Sequence, residues 1–322
     1  MRVLMVGTGS IGQRHMANLR CLVPDIHFDV LREAGRSTGT EELGKVEVVC
    51  SLEDAVSRQP DFMVVASPSA MHLRPLLAAI DMGIPFYVEK PVVTSVDEVA
   101  ALEERATRVG MPTNLVGCNL RFLPSLQALK SMIAEERLGR LVRADFEAGQ
   151  WLPDWRPSQD YRRGYSASRA QGGGVLLDLI HEIDAALWLL GSFDHVAGFS
   201  TRASDLEIDS DDCASLLLAR SDGPIATVRI DYVSRRPVRR YTFVGDRATA
   251  RWDLRAQKLV ISDEDGEHLL PQSAECFDVS ATYLAAMQEM LAAIAEGRAT
   301  SQPLEEGLRA LKTALKVQWI GK

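Results

Sequence analysis

The sequence predicts an α/β protein with an N-terminal doubly wound parallel sheet of the Rossmann type and a C-terminal α+β domain with a large, mostly antiparallel open sheet. Over residues 1–118, short β-rich runs alternate with helical patterns, which is typical of a parallel sheet. After residue 118, strand candidates follow one another through short turns, as in antiparallel sheets. Because 322 residues exceed the usual size of one core, we expect two domains, 1–118 and 119–322.

The elements follow from hydrophobic periodicity. The strand candidates of the first domain are residues 2–6, 28–31, 46–49, 62–66, 86–88 and 114–117, with helical patterns at 12–22, 71–82 and 95–109. The second domain begins with a helix near 123–136, followed by strand candidates at 141–148, 196–201, 214–219, 226–232, 240–245, 249–253 and 258–262. One long helix is predicted over 175–190, and helices over 281–296 and 303–316 close the chain and could pack back on the first domain.

Composition narrows the class of protein. The chain is 46% apolar and 25% charged, and no apolar run is long enough to span a bilayer. The first strand begins at the N-terminus with no secretory segment before it, so we expect a cytoplasmic protein without a membrane partner. A net charge of −8 disfavours nonspecific nucleic-acid binding. The five cysteines are scattered, which predicts neither a metal site nor a disulfide framework.

A glycine-rich turn directly follows the first strand. Gly7, Gly9 and Gly12 have the G-x-G-x-x-G spacing and open a helical pattern, so the turn lies between a strand and a helix. Gly7 permits the tight turn, Gly9 allows the backbone to approach a pyrophosphate, and Gly12 allows close helix packing. Ser10 and Ile11 then begin the helix, whose N-terminus favours phosphate. This motif predicts binding of a nicotinamide dinucleotide.

The end of the second predicted strand bears on the choice between NAD and NADP. An acidic residue at this position binds the ribose hydroxyls of NAD, but this chain has Arg32. Arg32, Arg36 and the Ser37 hydroxyl could surround a 2′-phosphate through charge-assisted hydrogen bonds. We therefore favour NADP, although the arginines could be solvated and Glu33 could serve NAD.

Two segments carry candidate catalytic groups. Lys90 follows a predicted strand, at the carboxyl edge where open α/β sheets bind ligands. Further along, three glycines precede a helical pattern that contains Asp178 and His181, which are three residues apart and can interact on one face of a helix. An imidazole that titrates near neutrality suits proton transfer from an alcohol, and a lysine can stabilise the developing alkoxide.

Taken in order, these motifs resemble the glucose-fructose oxidoreductase, inositol dehydrogenase and MocA (GFO/IDH/MocA) family over nearly the whole chain. The motifs that carry the resemblance are residues 7–12, 67–72, 89–91, 117–122 and the glycine-rich segment that leads to Asp178 and His181. One departure is that many members have the aspartate four residues before the histidine, where this chain has Leu177.

The resemblance implies a Rossmann domain, an α/β domain whose open sheet often supports homodimers or homotetramers, and a site between them. It implies that Lys90 contacts the reacting hydroxyl and the nicotinamide, and that His181 is the general acid/base, with Asp178 assisting. The positions expected to contribute to cofactor binding are Ser67, Pro68, His72, Glu89 and Lys90, and those expected to contribute to substrate binding are Asn119 and Arg121. No metal is required.

An aromatic and arginine-rich stretch, residues 150–165, has little periodicity and resembles a loop that covers a substrate. Aromatic faces can pack on sugar rings, and arginines can hold a carboxylate or diphosphate. The candidates in this stretch are Trp155, Arg156, Tyr161, Arg162 and Tyr165. A structural loop with solvated arginines is the alternative. The arginines of residues 235–240 are expected to lie in a solvated hairpin turn.

The sequence therefore predicts an NAD(P)-dependent dehydrogenase or reductase that acts on a secondary alcohol or ketone of a sugar, cyclitol or nucleotide-sugar. Two alternatives remain open at this point. The first is a noncatalytic dinucleotide-sensing protein with the same fold. The second is a glycoside hydrolase that uses retained NAD for transient oxidation.

Overall fold

The first sheet is parallel throughout. The computed structural model describes residues 1–32 and 43–321. Its six-stranded sheet has the order β3-β2-β1-β4-β5-β6, and each neighbouring pair is parallel. The strands are β1 (Arg2–Val6), β2 (His27–Leu31), β3 (Glu47–Val49), β4 (Phe62–Val65), β5 (Phe86–Val88) and β6 (Asn114–Val116). The strand order reverses between β1 and β4, which confirms the predicted doubly wound sheet.

Helices connect these strands because apolar runs buried on both faces need cover on both faces. The helices are α1 (Ser10–Leu22), α2 (Leu52–Ser57), α3 (Leu73–Met82) and α4 (Val96–Val109). Ser95 caps α4 by accepting a hydrogen bond from the Glu98 N–H, and the Glu98 carboxylate accepts hydrogen bonds from Thr94 and Ser95 in return. This reciprocal capping fixes where the chain enters the helix.

The second sheet has nine strands in the order β14-β13-β12-β11-β7-β10-β9-β8-β15. Most pairs are antiparallel, while β7–β10 and β8–β15 are parallel. The strands are β7 (Leu141–Gly149), β8 (His195–Thr201), β9 (Cys213–Ala219), β10 (Ile225–Asp231), β11 (Val238–Gly245), β12 (Thr249–Asp253), β13 (Lys258–Asp263), β14 (Gly266–Leu269) and β15 (Gln318–Trp319). The predicted open sheet is confirmed, and the two edge strands β14 and β15 are additions to it.

The helices of the second half of the chain are α5 (Pro124–Ala134), α6 (Val175–Asp178), α7 (Ile180–Leu190), α8 (Val279–Glu296) and α9 (Leu304–Ala314). The single helix predicted over 175–190 is wrong in one respect, because it is divided at Leu179 (φ −97°, ψ 30°). Apolar periodicity continues through this break, so the pattern could not reveal it. Asp178 therefore ends one helix, and His181 lies at the start of the next.

The chain forms two compact units. The first contains residues 1–118 and 283–308, and the second contains residues 119–282 and 309–322. In the second unit, α7 packs on β7 and β10, and the residues of β9 alternate between buried and exposed. Trp252 on β12 is fully buried and donates a hydrogen bond to Ser125. One sheet face therefore forms the core of this unit, while Phe199 and Leu217 are exposed on β8 and β9.

Among the described residues, none of the helices is long and apolar enough to cross a bilayer.

Candidate active site

The three glycines of the turn after β1, residues 7–12 (the glycine loop), have different surroundings. Gly7 has a φ of +96°, and a Cβ there would lie 2.4 Å from the Ser67 nitrogen. A Cβ on Gly12 would lie 2.2 Å from the Gly7 carbonyl oxygen, whereas a Cβ on Gly9 would meet no atom within 4 Å. The fold therefore requires Gly7 and Gly12. At Gly9, by contrast, the absence of a side chain leaves open space above the backbone.

The N-terminus of α1 faces that open space without a side-chain cap. Gly9 is the capping residue and supplies no side-chain acceptor, and the first turn contains no acidic residue. The first N–H groups of a helix need partners, and the helix dipole favours an anion there. Ser10 is exposed and Ile11 is half-buried. This arrangement fits a phosphate-bearing ligand.

The segment after β4 lies against the glycine loop. Ser67 and Pro68 are half-buried, and the Ser67 hydroxyl is buried with no hydrogen-bond partner in the described parts of the chain. A buried hydroxyl without a partner is costly, which is consistent with a ligand group that binds it.

His72, a predicted cofactor contact, has a different position. It is entirely buried, with Nε2 2.8 Å from the Ser67 carbonyl and Nδ1 3.0 Å from the Val92 carbonyl. Burial lowers the pKa of His72, although the surrounding carbonyls oppose that shift. His72 links the segments after β4 and β5, and its expected contribution to cofactor binding stays a prediction.

Arg32 follows β2 and is half-buried. Its backbone N–H donates to Val49, and its Nε is buried without a hydrogen-bond partner among residues 1–32 and 43–321. The other residues proposed to hold a 2′-phosphate, Arg36 and Ser37, lie outside the described residues, as does Glu33.

Glu89 and Lys90 follow the end of β5 and differ in burial. Glu89 is buried, and its Oε1 lies 2.7 Å from His15 Nε2 and accepts a hydrogen bond from the Tyr87 hydroxyl at 3.2 Å. Burial alone would raise the pKa of Glu89, but His15, Lys90 and Tyr87 outweigh it and hold that pKa below its ordinary value. Lys90 is half-buried. The Glu89 carboxylate is thus engaged inside the first unit, and its expected contribution to cofactor binding stays a prediction.

The glycine-rich lead into α6 is required by close packing within the second unit. A Cβ on Gly173 would lie 2.1 Å from the Tyr165 carbonyl oxygen, and one on Gly174 would lie 2.2 Å from Asp211 Oδ1. Asp211 accepts the Leu176 N–H at 2.8 Å and thereby caps α6. Burial raises the pKa of Asp211 to about 6, against the effect of its backbone hydrogen bonds.

Asp178, the last residue of α6, is held by two hydroxyl groups. Ser166 Oγ and the Tyr232 hydroxyl donate to the same oxygen, Oδ2, at 2.5 and 2.6 Å. Burial and the neighbouring Asp178 raise the pKa of Tyr232 well above its usual range, so this phenol remains a donor. Asp178 therefore has a fixed orientation.

His181 is 9% exposed and lies in the first turn of α7. The following residue, Glu182, is fully buried, and it lies 2.7 Å from Arg239 Nε and accepts a hydrogen bond from the Tyr241 hydroxyl. Burial raises the pKa of Glu182 despite the charge of Arg239. The hairpin turn predicted for residues 235–240 is wrong for Arg239, which lies on β11 and packs inward.

Asn119 and Arg121, two predicted substrate contacts, are buried in the second unit. The Asn119 side chain donates to the Thr282 hydroxyl at 2.6 Å. Arg121 makes two hydrogen bonds to the Asp184 carboxylate, at 2.9 and 2.5 Å. These polar groups bind partners inside the unit, and their expected role in holding a substrate stays a prediction.

The aromatic stretch of residues 150–165 packs beside the residues that hold Asp178. The Trp155 ring meets Tyr232 edge to face at 5.2 Å, and the Tyr165 hydroxyl donates to the Gly172 carbonyl. Arg162 is paired with Asp160. Arg156 is exposed, and with Trp155, Tyr161 and Ser166 it is among the residues that line a small cavity. Ser166 therefore connects this cavity to Asp178.

Two protein-family models match the chain. The model described as the oxidoreductase family with an NAD-binding Rossmann fold matches residues 1–114, and the model of the GFO/IDH/MocA C-terminal domain matches residues 126–251. This chain belongs to the GFO/IDH/MocA family. The resemblance inferred from the motifs is thereby confirmed.

The curated relatives of this family member include inositol dehydrogenases. Inositol 2-dehydrogenase 2 from Saccharopolyspora erythraea is 27% identical over 239 residues, which cover 71% of this chain and 66% of that protein. The first curated relatives are matched over 54–66% of their own length.

Two solved structures share the fold over nearly the whole chain. Levoglucosan dehydrogenase, in complex with NADH and levoglucosan, has a TM-score of 0.84 at 17% identity and covers 98% of this chain and 96% of its own. UDP-N-acetylglucosamine 3-dehydrogenase from Acidithiobacillus ferrooxidans has a TM-score of 0.78 at 21% identity, with the same coverage. At these identities the likeness establishes the fold alone.

Sequence reasoning missed several polar groups of this GFO/IDH/MocA member. His15 was detectable, because it follows Gly12 by three residues and so falls on the buried face of α1. Ser166, Tyr232 and Asp211 were not, because they come from three separate segments that only the folded chain brings to α6.

Proposed function

We propose that this chain is a nicotinamide-dependent oxidoreductase that transfers a hydride between the dinucleotide and a secondary alcohol or ketone of a sugar, cyclitol or nucleotide-sugar. The observation that carries the proposal is the open space at Gly9, in front of an uncapped helix N-terminus and between two glycines that the fold requires. A pyrophosphate can approach the backbone there and accept its N–H groups.

The surroundings of the glycine loop fit a dinucleotide in two further respects. The Ser67 hydroxyl has no hydrogen-bond partner among the described residues and can bind the ligand. The guanidinium of Arg32, at the end of β2, can pair with a 2′-phosphate, which favours NADP over NAD. Replacing Arg32 and Arg36 with alanine should reduce the preference for NADPH over NADH, and an unchanged preference would contradict the NADP assignment.

The chemistry requires one proton transfer in addition to the hydride transfer. The nicotinamide, when bound, accepts or supplies the hydride. His181 takes the proton from the substrate hydroxyl during oxidation and returns one to the carbonyl oxygen during reduction. Lys90 donates a hydrogen bond to that oxygen, where negative charge develops. Asp178, oriented by Ser166 and Tyr232, binds a further hydroxyl or steadies His181.

Residues of the aromatic stretch are proposed to recognise the substrate. Trp155 and Tyr161 present rings that can pack on a sugar, and the exposed Arg156 can bind a carboxylate or phosphate. The named sugar and cyclitol dehydrogenases that match this chain support this substrate class. We also propose a homodimer or homotetramer formed through the exposed face of the nine-stranded sheet, which presents Phe199 and Leu217.

The test has three steps. Denaturing extraction first detects any copurifying dinucleotide, and calorimetric titration of the cofactor-free protein then measures the affinity for NADH and NADPH. A panel of ketosugars and inosose cyclitols is next screened for oxidation of the preferred reductant. Binding of neither dinucleotide would refute the proposal, and turnover of a glycoside with no net change in NADH would favour the hydrolase.

A further inference from the structure

The turn that contains Lys90 is attached to the glycine-loop helix by a buried polar contact. His15 on α1 is 0% exposed, and its Nε2 lies 2.7 Å from Glu89 Oε1. The other carboxylate oxygen, Oε2, accepts the backbone N–H of Lys90 at 3.3 Å. One carboxylate therefore joins α1 to the main chain of Lys90, entirely within the first unit.

The residues around the contact between His15 and Glu89 are tightly packed. The buried face of α1 consists of Gly12, His15, Met16 and Leu19, and the His15 ring packs 4.7 Å from that of Tyr87. A Cβ on Gly117 would lie 2.6 Å from the Tyr87 hydroxyl and 3.2 Å from the Glu89 carboxyl group. A buried polar contact that includes a carboxylate contributes little to stability compared with well-packed apolar residues. Positioning explains the pair better than stability does.

The charge of the Glu89 carboxylate identifies His15 as the hydrogen-bond donor in this contact. Glu89 has a lowered pKa despite its burial, because of its hydrogen bond with His15, the charge of His15 and that of Lys90. An ionised carboxylate can only accept hydrogen bonds, so His15 Nε2 carries the hydrogen. His15 Nδ1 is buried and has no hydrogen-bond partner among the described residues, so the ring is held through Nε2. Removing His15 would leave a buried negative charge with one fewer donor.

We propose that His15 is a positioning residue, which acts through Glu89 to fix Lys90 relative to the ligand-binding end of α1. His15 lies six residues after Gly9 on a continuous helix, so the placement of the pyrophosphate site and that of Lys90 depend on one rigid element. The inference rests on the proposed function, in which Lys90 contacts the nicotinamide and the substrate.

The experiment measures the chemical reactivity of the Lys90 amine and does not require a substrate or enzyme turnover. Trace acetic anhydride is applied between pH 7 and 11, and mass spectrometry gives the acetylation rate of Lys90 in the wild-type protein and in His15→Leu, His15→Gln and Glu89→Gln. The Met16→Leu variant is the matched control, because it alters the same buried helix face without contacting Glu89 and conserves volume.

We expect Lys90 to be acetylated at least about fivefold faster in His15→Leu and Glu89→Gln, since each change removes one of the contacts that hold the half-buried Lys90 turn to α1 and so gives the reagent more access to its amine. His15→Gln, which keeps an N–H donor, should restore most of the wild-type rate, and Met16→Leu should match the wild-type protein. Turnover in His15→Leu should fall about 10- to 100-fold, with NADH affinity changed less than about threefold.

An unchanged Lys90 acetylation rate in folded Glu89→Gln and His15→Leu would overturn the inference, as would an equal change in Met16→Leu. If His15→Leu does not fold, Glu89→Gln and His15→Gln decide the question. Failure of the proposed function gives a different result, because a wild-type protein that binds no dinucleotide still reports whether His15 and Glu89 control Lys90.

Discussion

The two units hold the groups that we propose to face a ligand by different means. In the first unit, the glycine loop depends on main-chain geometry, because Gly7 and Gly12 have no room for a Cβ and Gly9 leaves the backbone open. In the second unit, Asp178 depends on side-chain hydrogen bonds from Ser166 and Tyr232. A main-chain site leaves a local signature in sequence, whereas a site built from distant side chains does not.

The largest effect is expected from the residues assigned to the chemistry. Replacing Lys90 with methionine or His181 with alanine should reduce turnover about 10²- to 10⁴-fold, because each change removes a proposed proton-transfer or charge-stabilising group. Steady-state assays with the substrate found by screening measure this loss. Near-normal turnover in both variants would refute the assigned roles, and NADH titration serves as the control for folding and cofactor binding.

Because main-chain geometry forms the glycine loop, we expect alanine substitutions at Gly12 and Gly9 to change stability by very different amounts. Gly12→Ala should destabilise the protein by more than about 2 kcal/mol, because its Cβ would lie 2.2 Å from the Gly7 oxygen. Gly9→Ala should change stability by less than about 0.5 kcal/mol, since its φ of −67° suits alanine and no atom lies near its Cβ. Urea unfolding measures both, and similar losses would contradict the distinction.

Because side-chain hydrogen bonds hold Asp178, we expect the loss of a single hydroxyl group, from Tyr232 or Ser166, to lower turnover. Tyr232→Phe removes one donor to Asp178 and should lower turnover about tenfold, because a hydrogen bond to a charged group contributes about 1.5–3 kcal/mol. Ser166→Ala should have a similar effect, and the double variant should lose less than the product of the two. Independent, fully multiplicative effects would indicate that the hydroxyls do not share one acceptor function.

Asp211 predicts a pH-dependent contribution to stability. Burial raises its folded-state pKa from 3.8 to about 6, with Asp178 raising it further and Arg169 opposing. The folded chain therefore binds the proton of the Asp211 carboxyl group more tightly than the unfolded chain does. The resulting contribution to the free energy of unfolding is present at low pH and is lost as pH rises from about 4 to about 6. The loss amounts to at most about 3 kcal/mol.

The matched variant for this effect is Asp211→Asn, which keeps an acceptor for the Leu176 N–H but cannot ionise. The difference in unfolding free energy between the wild-type protein and this variant should change by up to about 3 kcal/mol between pH 4 and 7. A difference that is constant across this range would show that Asp211 does not titrate as described.

The same contrast explains what the sequence could predict. The parallel sheet and the glycine loop follow from local spacing, so the amino-acid sequence is sufficient to place residues 7–12 in a turn between β1 and α1. The hydroxyl pair on Asp178 depends on contacts among residues 166, 178 and 232, which lie in separate segments of the chain. The division of the helix at Leu179 leaves the apolar periodicity intact and so gives no local signal. The buried positions of Asn119, Arg121 and His72 were also hidden, because a polar residue that pairs internally has the same local pattern as one that binds a ligand.

Calorimetric titration of wild-type protein and Gly9→Ala with NADH and NADPH tests most directly whether the glycine loop binds a dinucleotide. The account predicts that the wild-type protein binds at least one of them and that Gly9→Ala, while equally stable, binds it at least about tenfold more weakly, because the new Cβ occupies space needed by the pyrophosphate. Equal affinity in the two proteins would contradict the account.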